Sequence, residues 1–231
     1  MNTEDDFINA SYIFDHNPRK PDYIAAISPL STTVEDFWHM IWEQNVVSIV
    51  CLDSIKSITR INSDSNIDAC VRYWPQDGTL NLKDFDIHLV SEHRSNLKYV
   101  IRSMYLKKKE LNETRTITQF HFHDIPSDEA NLLEMVSALL EFRRKVNKSF
   151  RGKMSPVVIH SEDGCGITGA YILIDMILNR IAKGIRELDM IASLEHLRDQ
   201  KMDFVNSKAL FKFVTNAIAE EVNVLIRSSS E

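Results

Sequence analysis

The stretch VVIHSEDGCGITGAYILIDM, residues 157–176, constrains the fold more than any other part of this chain. Val157, Val158 and Ile159 form a short β-branched run that enters a loop with glycines at 164, 166 and 169. A long apolar segment of helical length follows. A strand that turns through glycines into a helix aims successive backbone N–H groups at one point, in front of a helix N-terminus, and so makes a cradle for an anion. The loop nevertheless carries Glu162 and Asp163 and has no Arg or Lys. Three readings are open for it: a catalytic loop, a binding loop or a relic.

The rest of the chain supplies the sheet and helices that such a unit needs. Val34, Phe37, Trp38, Ile41 and Trp42 recur at helical spacing after Ser31–Glu35, where Thr32 and Glu35 have the spacing of a capping box. Val46–Leu52 is a continuous apolar run of strand length, the pattern of a sheet covered on both faces. Residues 54–68 are rich in Ser, Asn and Asp and read as a surface loop. Alternating or β-branched runs at 85–90, 98–107 and 114–123 predict antiparallel strands. Ile125–Asp128 is a turn with helix-start chemistry, with Asp128 as cap. Leu132, Val136, Leu139, Leu140 and Val146 mark the helix after it. Three more helices are predicted over 168–183, 187–198 and 208–226, the last burying Phe211, Val214, Ile218, Val222 and Leu225. The order predicts one α/β (α+β) domain over residues 1–231 with a mixed sheet.

Composition narrows the partners. A net charge of -6 argues against nucleic acid, whose binding surfaces are strongly basic. Three cysteines without metal-ligand spacing read as reduced thiols in a cytosolic setting. No apolar run is long enough to span a bilayer, and no signal peptide is evident at the start. His121 and His123 alternate on a strand with no third ligand in sight, so neither a metal site nor a cofactor is expected.

The order of motifs resembles the Cys-dependent protein tyrosine phosphatases. DFINAS (Asp6–Ser11), DFWHMIWEQ (Asp36–Gln44), RYWP (Arg72–Pro75), Glu113-Thr114-Arg115 and the loop at 160–169 follow that family's sequence of motifs from about residue 5 to about residue 226. The resemblance implies a highly twisted mixed β-sheet flanked by helices. It also implies that the first part of the usual domain, with its tyrosine-stacking loop, is absent. LEFRRKVNKSFRGK, YILIDMILNRIAKGIRELD, LEHLRDQ and NAIAEEVNVL are similar to the neuroendocrine islet-autoantigen (phogrin-like) receptor phosphatases. Membership there would make this the cytosolic domain of a single-span protein of dense-core secretory vesicles, with little or no catalysis. Its expected role is protein interaction or dimerisation in neuropeptide and hormone release.

Measured against that family, the chemistry is degraded position by position. His160-Ser161-Glu162-Asp163-Gly164-Cys165-Gly166-Ile167 stands where the family has His-Cys-x5-Arg. Ser161 takes the place of the nucleophilic cysteine, and an unassisted hydroxyl is not a thiolate. Ile167 takes the place of the arginine whose planar fork grips phosphate, each hydrogen bond to a charged group being worth about 1.5–3 kcal/mol. Glu162 and Asp163 would repel an anion about 5 Å away by about 3 kcal/mol at an effective dielectric near 20, unless they point to solvent. Ser127 replaces the general-acid aspartate. Asn206 and Leu210 replace the two water-positioning glutamines. Cys165 reads as a small buried hydrophobe rather than a thiolate at a helix N-terminus, since Glu162 and Asp163 nearby would raise its pKa. Arg143, Arg144, Lys145, Lys148, Arg151 and Lys153 form a basic cluster. Its readings are dipole compensation at a helix C-terminus, favoured here, or a contact for acidic lipid or an acidic protein. Three functional readings follow: a non-catalytic interaction domain that pairs with its own or other phosphatase-like domains, a phosphotyrosine-binding decoy, and a weak phosphatase with unrecognised chemistry.

Overall fold

A computed structural model of the chain describes residues 7–54, 70–95, 98–126, 128–150, 154–185 and 188–228. Ser127, residues 55–68 of the loop predicted at 54–68, Arg151 and Lys153 lie outside these residues. Eight strands form one mixed sheet: β1 (Ala10–Ile13), β2 (Tyr23–Ile27), β3 (Ser48–Cys51), β4 (Thr79–Asn81), β5 (Phe85–Ser95), β6 (Tyr99–Lys108), β7 (Glu113–Phe122) and β8 (Val157–Ser161). Their order across the sheet is β1-β2-β8-β3-β7-β6-β5-β4. The central four, β2, β8, β3 and β7, are parallel, and the flanking pairs are antiparallel.

The parallel centre explains the apolar runs. Along β8, Val157 and Ile159 face one core and Val158 the other; along β3, Val50 faces the first and Ile49 the second. A strand with parallel neighbours and covered faces has no polar side, so alternation disappears from its sequence. The first core lies under α2 (Val136–Phe150), α3 (Gly166–Ala182), α4 (Met190–Gln200) and α5 (Lys208–Ser228). The second lies under α1 (Val34–Glu43), whose Phe37, Trp38, Ile41 and Trp42 are buried as the helical spacing predicts. β5 runs on to Ser95, past a register shift between Leu89 and Ser91.

Several local expectations are corrected. The capping box does not form: Thr33, not Thr32, is the first cap, and its hydroxyl turns back to accept from Leu30 N at 3.0 Å. Glu35 leaves its own helix and accepts from Lys83 N at 3.0 Å and Asp84 N at 2.8 Å. Helix α3 starts at Gly166, two residues early, and α4 starts at Met190, where Asp189 accepts from Ile191 N and Ala192 N, both at 2.9 Å. The buried face of α5 is Leu210, Phe213, Val214, Ala217 and Glu221, while Leu225 is 43% exposed. Val214 is buried as predicted and Phe211 and Ile218 pack at the edge of the core, but the centre of the face is shifted toward Phe213 and Ala217, and Glu221 enters it paired with Arg144 at 2.5 Å. Asp128 caps as predicted, accepting from Ala130 N at 2.9 Å, but the turn it opens is a 3₁₀ helix (Glu129–Met135) before α2 begins.

Candidate functional site: a cradle filled from within

Strand β8 delivers Ser161 to the edge of the loop, where Ser28 N binds its carbonyl at 2.9 Å. Gly164 then adopts φ +63°, and a Cβ there would lie 2.7 Å from the Ala26 carbonyl oxygen. Both demands admit only glycine. The turn brings the amides of Cys165 and Gly166 round to one point, and that point is already occupied. The Asp163 carboxylate accepts from Cys165 N at 3.0 Å, from Gly166 N at 2.9 Å and from the Ser161 hydroxyl at 2.9 Å. Asp163 is exposed, yet its carboxylate is turned back onto the loop rather than repelling from the rim or pointing away from it, the two expectations set for it. It is the anion of its own cradle. Glu162 is exposed.

Ser161 is 2% exposed and fully committed. Its hydroxyl accepts from Gly164 N at 3.2 Å and lies 2.7 Å from Thr168 Oγ1. With the Ser161 proton given to Asp163, Thr168 is the donor of that last bond. No histidine assists, because His160 engages Ser28 through Nδ1 and Tyr73 through Nε2, both at 2.7 Å. Cys165 is half-buried, and its thiol is pushed up by that burial, with Asp163 and Asp203 adding to the effect against Lys201. That shift disfavours its thiolate at neutral pH.

In front of the loop opens a cleft of about 710 Å³. Ile167, Leu210, Asn206, Ile125 and Pro126 line it beside Ser161, Asp163 and Gly166. The fold thus brings together the nucleophile, clamp and late-motif positions from distant parts of the chain. Asn206 is exposed and Leu210 is 5% exposed, packed within 3.3 Å of where a Gly166 Cβ would sit. Asp124, beside the general-acid turn, faces Lys98 at 3.3 Å, and Asp128 is spent on its cap.

Residues 1–220 match the family Protein-tyrosine phosphatase. The chain is 46% identical over 223 residues to the human Receptor-type tyrosine-protein phosphatase-like N, covering 96% of this chain and 22% of that protein. It is 45% identical over 228 residues to mouse Receptor-type tyrosine-protein phosphatase N2, covering 96% and 21%. It is 41% identical over 225 residues to Receptor-type tyrosine-protein phosphatase-like ida-1 of Caenorhabditis elegans, covering 97% and 28%. The chain belongs to the protein-tyrosine phosphatase family. It spans between a fifth and a third of the length of these relatives.

Within this phosphatase fold the sequence reading missed a buried hydrogen-bond chain beneath the loop. Arg102 Nη1 donates to Gln119 Oε1 at 2.9 Å, and Gln119 Nε2 donates to the Tyr73 hydroxyl at 2.7 Å. The Tyr73 proton then has one acceptor, His160 Nε2, so His160 carries its proton on Nδ1 and donates to Ser28. Ser28 in turn donates to the Asp53 carboxylate. Burial opposes the charge on Asp53, but the His160 and Ser28 hydrogen bonds outweigh it and hold the carboxyl below its usual value. His121 Nε2 donates to the Asp53 carbonyl at 2.8 Å, and burial pushes its pKa down to about 3, so it is neutral at pH 7. Cys51, Asp53 and His160 bring potential metal-ligating atoms within 4.8 Å of one another. His160 Nδ1 is protonated in the chain just described, so this trio is a hydrogen-bonded unit with no lone pair free on that nitrogen. Tyr73 and His160 lie in motifs that resemble the family; Ser28, Asp53 and Gln119 carry no sequence signal of their own.

Among the four described residues of the basic cluster, only Arg143 leaves the surface. Arg143 is 6% exposed and pairs with Asp175 at 2.6 Å, donating also to Asn179 at 2.7 Å. Arg144 pairs with Glu221. Of these two, Arg143 is drawn inward by Asp175 on α3, while Arg144 stays half exposed at the edge of α5. Lys145 and Lys148 are exposed.

Proposed function

We propose that this chain is a catalytically silent member of the protein-tyrosine phosphatase family that acts as a protein-interaction or dimerisation module. Its setting in this reading is the cytosolic face of dense-core secretory vesicles, in hormone and neuropeptide release, with a second phosphatase-like domain as partner. The Asp163 carboxylate in the anion cradle is the observation that carries the silent part of the reading. A substrate phosphate would have to expel it, then find a committed serine and an isoleucine where the family uses a thiolate and an arginine. The similarity to proteins named receptor-type and phosphatase-like supports the receptor-type part of the reading, and the vesicle setting and the second domain are proposed with it.

The test is a titration of the chain with vanadate and with a phosphotyrosine peptide, following heat, melting temperature and phosphate release. The expected outcome is no saturable binding at millimolar ligand and no turnover. Micromolar peptide binding without turnover would replace this reading with the decoy. Hydrolysis that disappears in Cys165→Ala would make the chain an enzyme.

A further inference from the structure

We propose that Glu35, His39 and Asp84 form a zinc(II) site that ties α1 to the turn between β4 and β5. Glu35 and His39 are four residues apart and share one face of α1. Asp84 arrives from the turn, and the ligand atoms of all three lie within 4.8 Å of one another. His39 Nε2 and Asp84 Oδ2 are already 3.0 Å apart. Two ligands at zinc distances of 2.0–2.1 Å in tetrahedral geometry stand about 3.3 Å apart, so closure needs shifts of only fractions of an ångström on that edge.

Each ligand is held by something other than the ion. Both Glu35 oxygens accept backbone amides, from Asp84 at 2.8 Å and Lys83 at 3.0 Å, and each keeps a further lone pair. These bonds are the outer contacts that orient a ligating carboxylate before metal arrives. They also explain why Glu35 abandons the capping role its sequence position predicts. The His39 ring stands edge-on to Phe85, with centroids 4.8 Å apart at 75°. Asp84 is fixed by its carbonyl, which accepts from Lys109 N at 3.0 Å.

Charge and access fit the same ion. Two carboxylates neutralise a divalent cation. The nearby Lys109 ammonium is engaged by Asp86 at 3.2 Å and by the Leu82 carbonyl, leaving Lys83 as an exposed neighbour. His39 and Asp84 side chains are 30% and 40% exposed, so the ion has a path and water can complete its shell. One imidazole with two carboxylates suits zinc, whereas magnesium and calcium seek six or more oxygens.

The test uses the whole chain, stripped with EDTA and titrated with zinc chloride by calorimetry, with cobalt(II) absorption as a second readout. One zinc per chain is expected at micromolar affinity, weakened at least about tenfold in His39→Gln and in Asp84→Asn. Both substitutions are polar and near-isosteric, and circular dichroism checks that each variant folds. Zinc should also raise the melting temperature of the unaltered chain, reversed by EDTA, a readout that depends on neither variant. Cobalt should show d–d bands without a thiolate charge-transfer band. Absence of saturable uptake, equal affinity in folded variants, or a thiolate band lost in Cys165→Ser would each overturn the assignment.

Discussion

Replacing Asp163 by alanine is the most informative single change, because it empties the cradle without touching the scaffold. The carboxylate accepts three hydrogen bonds, two from consecutive amides at the start of α3. Asp163 lies two residues before the N-cap, Cys165, but serves the first amides of α3 as a capping side chain does, and loss of a cap costs about 0.5–2 kcal/mol. Gross bonds to a charged group are worth about 1.5–3 kcal/mol each, but Asp163 is exposed and water replaces most of that. We expect a loss of about 1–2 kcal/mol, a fall in melting temperature of about 2–8 °C for a chain of this size. The freed amides should then accept an external anion. At sulfate about ten times its dissociation constant, linkage returns about 1.4 kcal/mol, or about 3–6 °C. The assay is thermal unfolding of both proteins across a sulfate series, with chloride at matched ionic strength to remove general salt effects. The quantity that matters is the difference in slope. Identical sulfate responses in the two proteins, or a variant that melts higher without sulfate, would refute the view that Asp163 stands in for a bound anion.

Three further expectations follow from the packing beneath the loop. Tyr73→Phe removes the hydroxyl that receives from Gln119 and gives to His160, stranding buried partners, and should cost about 1–3 kcal/mol by urea unfolding. Gly169→Ala places a methyl 2.7 Å from the ring of Phe204, which is fully buried, and should cost about 1–3 kcal/mol by the same measurement. His121 has its folded pKa lowered from 6.5 to about 3, so between those values the unfolded chain binds the extra proton and stability falls as pH falls. His121→Gln should flatten that slope between pH 6 and pH 4 by roughly the share of one group, measured by denaturant midpoints; an unchanged slope would mean that His121 is not buried neutral.

What could be read from the sequence followed periodicity and family likeness. The apolar run of β3, the spacing on α1 and the glycines of the loop are local signals, and each led to the right element. Failures began where a side chain had a choice of partner. Glu35 had a helix cap within reach and took two amides from a turn 48 and 49 residues away. Arg143 and Arg144 sit among lysines in sequence, yet Asp175 and Glu221 claim them. Asp163 could repel, turn outward or fold in, and only the positions of the Cys165 and Gly166 amides decide which. The buried chain is the extreme case. Its members, Ser28, Asp53, Tyr73, Arg102, Gln119 and His160, come from six separate segments and meet only after the sheet has assembled.

The self-filled loop has a consequence for anything that touches this face of the domain. A cradle of unpaired amides is tense when empty and relaxed when occupied, so its outline follows the phosphate around it. Here the occupant is covalently attached and always present at the same stoichiometry. The contour of the cradle is thereby set by a residue of the chain itself rather than by an anion drawn from solution.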